Sequence, residues 1–198
     1  MRGTGSHDYE IGDLFIPADR VIRLDAPPRV ADPLYLMPQM ALLDSAMAAV
    51  PLGIARTAID AFVDLAGGKT SHGFADAPAN RLTIQADVGR AEAVLRAART
   101  WLYASVEEAW NDVRAGRPIS VRQTALLRLA RANALTASVQ AVDLMYGAAA
   151  GSAVYGKSPL DRCFRDVHVA AQHVALHGSN YEICGRVMLG LPPGRLAL

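Results

Sequence analysis

The feature that most constrains this chain is a switch in its text between Asp25 and Pro38. Before the switch, β-forming residues cluster: Tyr9, Ile11, Leu14, Phe15 and Ile16, then Val21, Ile22 and Leu24. Gly12-Asp13 and Pro17-Ala18-Asp19 punctuate them, and the stretch predicts two short strands over 9–24. After Pro38 the helical period takes over and is not relinquished. Between the two, Pro27-Pro28, Asp32-Pro33 and Pro38 exclude regular helix and mark a linker. A hairpin is marginal alone in water. The opening therefore reads as the edge of a sheet whose other strands are not in this chain.

The helical text divides at its glycines and prolines. A first helix is predicted from about Gln39 to Leu65, stopped at Gly67-Gly68, with Pro51 inside it as a kink or a break. Lys69 to Asn80 reads as a loop. A second helix runs from Arg81 to Arg114, before Gly116-Arg117-Pro118. A third starts near Ser120, is strongly periodic over Val121–Met145, and fades at Gly147 and Gly151. A fourth is predicted from Pro159 to about Leu189, closed by Gly190 and Pro192-Pro193, with Ser158 as N-cap and Pro159 at the first position. Helices this long need sustained partner contact. Short connections make the expected fold class all-α: an antiparallel up-down four-helix bundle, preceded by a short two-strand remnant of a β-domain.

Composition fits close-packed helices, since 52% of the 198 residues are hydrophobic and only 6% are aromatic. A net charge of +1 offers no electrostatic case for nucleic acid or an anionic membrane. No run of about eighteen apolar residues is free of charge, so no membrane span is expected. Met1 to Asp8 has no apolar segment behind its arginine, unlike a signal peptide. Cys163 and Cys184 fall about 30 Å apart on the one predicted helix, so they cannot bridge each other; free thiols in a reducing cytoplasm are expected.

The fourth helix carries the chemistry. Arg162, Arg165 and Asp166 crowd its first turns, and His173 follows two turns beyond Asp166. The charged residues read as buried or subunit-contact ion pairs. His173 and His177 have the i, i+4 spacing of a metal pair. No His-Glu-x-x-His pattern or carboxylate cluster accompanies them, so no metal is expected.

Tyr146-Gly147, Gly151-Ser152, Ser158-Pro159-Leu160-Asp161-Arg162 and Arg165-Asp166 resemble the C-terminal helical domain of the acyl-CoA dehydrogenase superfamily, type 2. Arg2 to Asp8 and Phe15-Ile16-Pro17 resemble the last strands of that superfamily's middle β-domain. The resemblance implies an incomplete β-domain edge over 1–26, a linker over 27–38, and a helical bundle domain over 39–198. It covers only the final half of such a protein, which points to an incomplete flavin site in this chain.

Dehydrogenases of this superfamily often carry a catalytic glutamate after the Arg-Asp pair; that position is Val174 here, preceded by His173. With the Gly185-Arg186-Val187-Met188-Leu189-Gly190-Leu191-Pro192 ending, this resembles the flavin-dependent monooxygenase branch of two-component phenol hydroxylases and dibenzothiophene monooxygenases. The branch implies reduced FMN or FAD from a separate flavin reductase, a small-molecule substrate, a homo-oligomer (dimer or tetramer) and a cytoplasmic location. By the same resemblance His173 is the catalytic residue, while Gly151, Ser152, Arg81 and Gln85 bind the cofactor. Thr4 and Ser6 face flavin or substrate from the β-domain. Two other readings stay open: a dehydrogenase acting on a CoA thioester, and a catalytically incomplete assembly module.

Overall fold

The computed structural model describes residues 7–23, 26–30, 32–68 and 77–193. It divides into two compact units, Met1–Ala31 and Asp32–Leu198. In the first unit no strand forms among the described residues. Apart from one 3-10 turn at Ala18–Arg20, its described residues hold no regular secondary structure, with bends that include Asp13 at φ +49°. Tyr9, Phe15 and Ile22 are exposed. This corrects the expected strand pair: among the described residues of this unit the β-formers find no second strand, and a lone strand is not stable in water. The expected roles of Thr4 and Ser6 lie outside the described residues, as does most of the predicted loop from Lys69.

The second unit is all helix: α1 (Gln39–Gly68), α2 (Leu82–Arg114), α3 (Val121–Ala149), α4 (Pro159–Ala170) and α5 (Ser179–Met188), with short 3-10 turns at Pro33–Leu36, Pro78–Asn80 and Ala150–Ser152. α1 continues through buried Pro51 as one helix, so the proline does not break it. Ser120 closes a capping box with Gln123 and starts α3 cleanly.

Three sets of contacts fix the directions. Met37, just before α1, packs on Ala109 and Val113 near the end of α2. Arg56 of α1 meets Glu92 of α2, so these two helices run antiparallel. Gln123 at the start of α3 donates to Asp112 and Glu108 at the end of α2, which turns α3 back again. α4 and α5 then descend α3 in order: Phe164 stacks on Tyr146, His168 meets Asp143, Asn180 meets Arg128, Cys184 meets Ala125 and Arg122 meets Met188.

The core is built on alanine. Ala48, Ala55 and Ala58 of α1 share it with Ala130, Ala134 and Ala141 of α3 and with Ala91 and Ala98 of α2. Small side chains at helical spacing let backbones approach to the short end of the usual 8–10 Å. Ile59, Phe62 and Leu95 fill what the methyl groups leave. By length and composition alone α1 could cross a bilayer, with a mean hydropathy of 1.4 over Met40–Gly67. Here its apolar face lies in this core.

The expected fourth helix is two. The chain leaves α4 after Ala170 and re-enters helix at Ser179. The break drops Ala175 and Leu176 into the core, which a straight helix could not do while also burying Leu160, Cys163 and Val167. Burying a leucine is worth about 1.5–3 kcal/mol, enough to offset a few lost helical bonds. Cys163 and Cys184 consequently sit on different helices, both buried and free. Burial pushes both thiols above their ordinary pKa.

Candidate functional site

The break between α4 and α5 holds His173. Its backbone carbonyl accepts from the Leu176 and His177 N–H groups, and its ring Nδ1 accepts from the Ala175 N–H at 3.2 Å. His177 repeats the arrangement, its Nδ1 accepting from the Ser179 N–H at 3.2 Å. Each ring does for a free N–H what a serine does at a helix start. Both imidazoles are exposed. The expectation that His173 continues one side of the α4 helix is thereby corrected: it sits in a turn. The rings of His173 and His177 are each bound to their own turn, and among the described residues no three His, Cys, Asp or Glu side chains cluster as metal ligands do.

Asn180, 1% exposed, ties the break to α3. Its Nδ2 donates to the carbonyls of Val174 (3.1 Å) and His177 (2.7 Å), and its Oδ1 accepts from Arg128 Nε at 2.5 Å. Sequence reasoning does not single out Asn180. A signal is present, since Gly178-Ser179-Asn180 is turn chemistry inside a stretch whose period reads as continuous helix.

An open groove of about 470 Å³ runs along α3, lined by Thr136, Val139, Gln140, Asp143 and Leu144. α4 bounds it through His168 Nε2 and Asp143 Oδ1, 3.0 Å apart; α5 bounds it through Tyr181, whose hydroxyl donates to Thr136 Oγ1 at 3.2 Å. His173 lies between these two contacts in the chain.

The other site residues fall elsewhere. Gly151 and Ser152 form the 3-10 turn that ends α3. Ala150, opening that turn, holds φ +47° and ψ −134°, a conformation that costs a residue with a Cβ roughly 1–3 kcal/mol. Nothing lies within 4 Å of where a Gly151 Cβ would stand, so an anion can reach this backbone. Arg81 is the N-cap residue of α2, and Gln85 Nε2 donates to the Ala79 carbonyl at 3.0 Å. The antiparallel register of α2 and α3 puts Arg81 at the same end of the bundle as Ser152. His173 is not there. It falls beside the middle of α3, about fifteen residues or roughly 22 Å from Ser152 along the helix. Arg162–Asp166 (3.2 Å) and Arg165–Asp161 (2.8 Å) are i, i+4 pairs on the solvent side of α4, so of the two expectations, buried or subunit-contact pairs, the first does not hold within this chain. The reason is the helix face: Leu160, Cys163 and Val167 take the core side, leaving the charges outward.

Residues 45–177 match the acyl-CoA dehydrogenase, C-terminal domain family, and the chain belongs to it. An indole-3-acetate monooxygenase of Pseudomonas putida is 34% identical over 193 residues, 98% of this chain and 50% of that protein. The FADH(2)-dependent resorcinol hydroxylase, oxygenase component, of Rhizobium sp. (strain MTP-10005) is 28% identical over 98% of this chain and 52% of its own length. Among solved structures, the 3-HSA hydroxylase from Rhodococcus sp. RHA1 superposes with a TM-score of 0.83 at 24% identity, covering 92% of this chain and 50% of that one. The chain thus spans about half the length of the curated relatives it matches.

Proposed function

We propose that this chain forms the C-terminal helical part of a flavin-dependent monooxygenase that uses reduced flavin and O2 to hydroxylate an aromatic or heteroatom substrate. The observation that carries the reading is His173, exposed in the α4–α5 break, with non-ionisable Val174 at the position of the dehydrogenase glutamate. The relatives named monooxygenase and hydroxylase support it. A CoA-ester dehydrogenase would need a base that Val174 cannot supply.

The residues present fit one wall of a flavin site. The open backbone at Gly151, with Ser152 next to it and Arg81 and Gln85 at the same end, suits the flavin's phosphate; His173 suits the ring. When bound, the flavin supplies the two electrons that O2 needs to give one oxygen atom to the substrate and one to water. Because His173 and Ser152 lie roughly 22 Å apart along α3, a site drawing on both ends fits a dimer or tetramer in which two copies flank each flavin. A separate reductase supplies the reduced flavin, as the words "oxygenase component" in a relative's name imply for that protein. The cytoplasm is the expected setting. In the whole protein, residues 1–26 close a β-domain, 27–38 link it, and 39–198 form the helical domain.

A histidine is the side chain best suited to give or take a proton at working pH. In a protein extended to the relatives' full length, His173→Ala should keep the helical circular dichroism. Coupled product formation should fall roughly 10²–10⁴-fold, with hydrogen peroxide release rising in its place. Stopped-flow mixing of reduced flavin with oxygen reads both. Wild-type coupling in the variant would show that His173 only closes its turn.

A further inference from the structure

Asn180, His173 and the peptide between Val174 and Ala175 form one hydrogen-bonded unit. Arg128 Nε donates to Asn180 Oδ1, and Asn180 Nδ2 donates to the Val174 carbonyl. That carbonyl and the Ala175 N–H belong to the same planar, trans peptide, so they point in opposite directions. Holding the oxygen on one side aims the N–H on the other, and its target is His173 Nδ1. The second Asn180 Nδ2 bond, to the His177 carbonyl, stops the amide from rotating away. Every polar atom of the buried Asn180 side chain is used, and Arg128 and Asn180 come from different helices.

We propose that Asn180, anchored by Arg128, is the positioning residue that fixes His173 in the Nε2–H tautomer and presents that N–H outward as a hydrogen-bond donor. An N–H aimed at Nδ1 demands a lone pair there, which leaves the neutral ring's only proton on Nε2. Bonds in such a chain polarise one another, so the peptide donor is stronger for its carbonyl being held. This inference rests on His173 being the reactive imidazole of the proposed site. It also narrows its part: with Nδ1 occupied and Nε2 protonated, the neutral ring gives a hydrogen bond to a flavin or substrate oxygen and has no free lone pair with which to take a proton. Arg128 and Asn180 act only through the turn and touch no reacting atom, so neither is a catalytic residue.

The test uses the full 198-residue chain labelled with nitrogen-15, with no flavin present. Long-range proton–nitrogen correlation spectra at about pH 8, above the ordinary imidazole titration, separate the two tautomers. His173→Ala identifies the signals. Wild type should show the Nε2–H pattern for residue 173. Asn180→Ala should lower the ratio of Nε2–H to Nδ1–H about fivefold, the worth of one ordinary hydrogen bond. Asn180→Asp keeps an acceptor for Arg128 but loses both donors, so it should behave like Asn180→Ala. Arg128→Met should move the ratio the same way by less. If Asn180→Ala does not fold by circular dichroism, the other two variants decide the question. An Nδ1–H pattern in wild type, or an unchanged ratio in every folded variant, overturns the proposal. Because the readout needs no flavin, that failure would leave the monooxygenase reading standing; only the His173→Ala kinetics decide that.

Discussion

The three continuous helices and the broken arm solve the same problem differently. α1, α2 and α3 bury an apolar stripe at regular spacing, with alanines setting the distance and Phe62, Ile59 and Leu95 filling it. α4 and α5 cover α3 only by interrupting themselves, and their break is held by polar bonds: Asn180 to two carbonyls, two imidazoles to two N–H groups, Arg128 to Asn180. Regular packing yields stability without placing any particular group. A break costs helical bonds and places an imidazole in a defined orientation at the surface. The difference teaches where an alanine-rich bundle fixes a polar side chain: where the period fails.

The largest effect should come from the regular half. Phe62 is 1% exposed among α1 neighbours that are mostly alanine, and alanines cannot close around a lost ring. Phe62→Ala should cost about 3–5 kcal/mol of global stability, read from the urea midpoint with helical circular dichroism. A loss under about 1 kcal/mol would mean the core is loosely packed and would break the contrast with the arm.

Leu176→Ala probes the other half. Leu176 is 3% exposed and is the apolar anchor of the break. Its truncation should cost about 2–3 kcal/mol, toward the low side of leucine truncations because a turn can settle into the space. The contrast predicts where that cost appears. The free buried thiols of Cys163 on α4 and Cys184 on α5 report opening of the arm. Their raised pKa values also keep them slow toward a thiol reagent at neutral pH. In Leu176→Ala they should label at urea concentrations that leave the α1–α3 circular dichroism intact; in Phe62→Ala, labelling and loss of helix should coincide. Coincidence in both variants would make the arm and the core one cooperative unit.

How much of this is legible in the sequence follows the same division. The helices from Gln39 to Ala149 stand close to where periodicity, Ser120 and the flanking glycines and prolines place them, because local pattern and burial agree there. The break escapes a reading by pattern because Val167 to Leu176 is rich in helix formers, and the pull of Leu176 toward the core is a tertiary effect. Asn180 shows the limit best: its partner Arg128 is 52 residues away, and no spacing rule links them. The opening strands fail for the converse reason, since Tyr9 to Ile22 has strand propensity and, among the described residues, no strand to pair with. His173 stands out through a resemblance, yet the hydrogen bond that sets its tautomer comes from a backbone N–H that no side-chain pattern announces.

The smallest expected effect is electrostatic and belongs to the regular half. Glu92 of α2 meets Arg56 of α1 and Arg96 of its own helix, each at 2.5 Å. The bonds from Arg56 and then Arg96 hold its carboxyl below its ordinary value of 4.5. A carboxylate whose pKa is depressed by folding binds protons more readily in the unfolded chain. Its stabilising contribution is therefore complete above about pH 4.5 and is lost as the pH falls through the lower folded value. The pair is partly exposed, so the increment should be at most about 1 kcal/mol. Wild type should exceed Glu92→Gln by that constant margin between pH 6 and 8, roughly the neutral range of such titrations. The margin should shrink below about pH 4.5, as urea midpoints taken at each pH would show. Arg56→Gln serves as the comparison, since it removes the cross-helix bond and leaves Arg96 on Glu92. Arg56→Gln should flatten the pH dependence of the midpoint toward that of Glu92→Gln. If Arg56→Gln keeps the wild-type curve, the cross-helix bond from Arg56 adds nothing to the margin, and what joins α1 to α2 at this point is their packing.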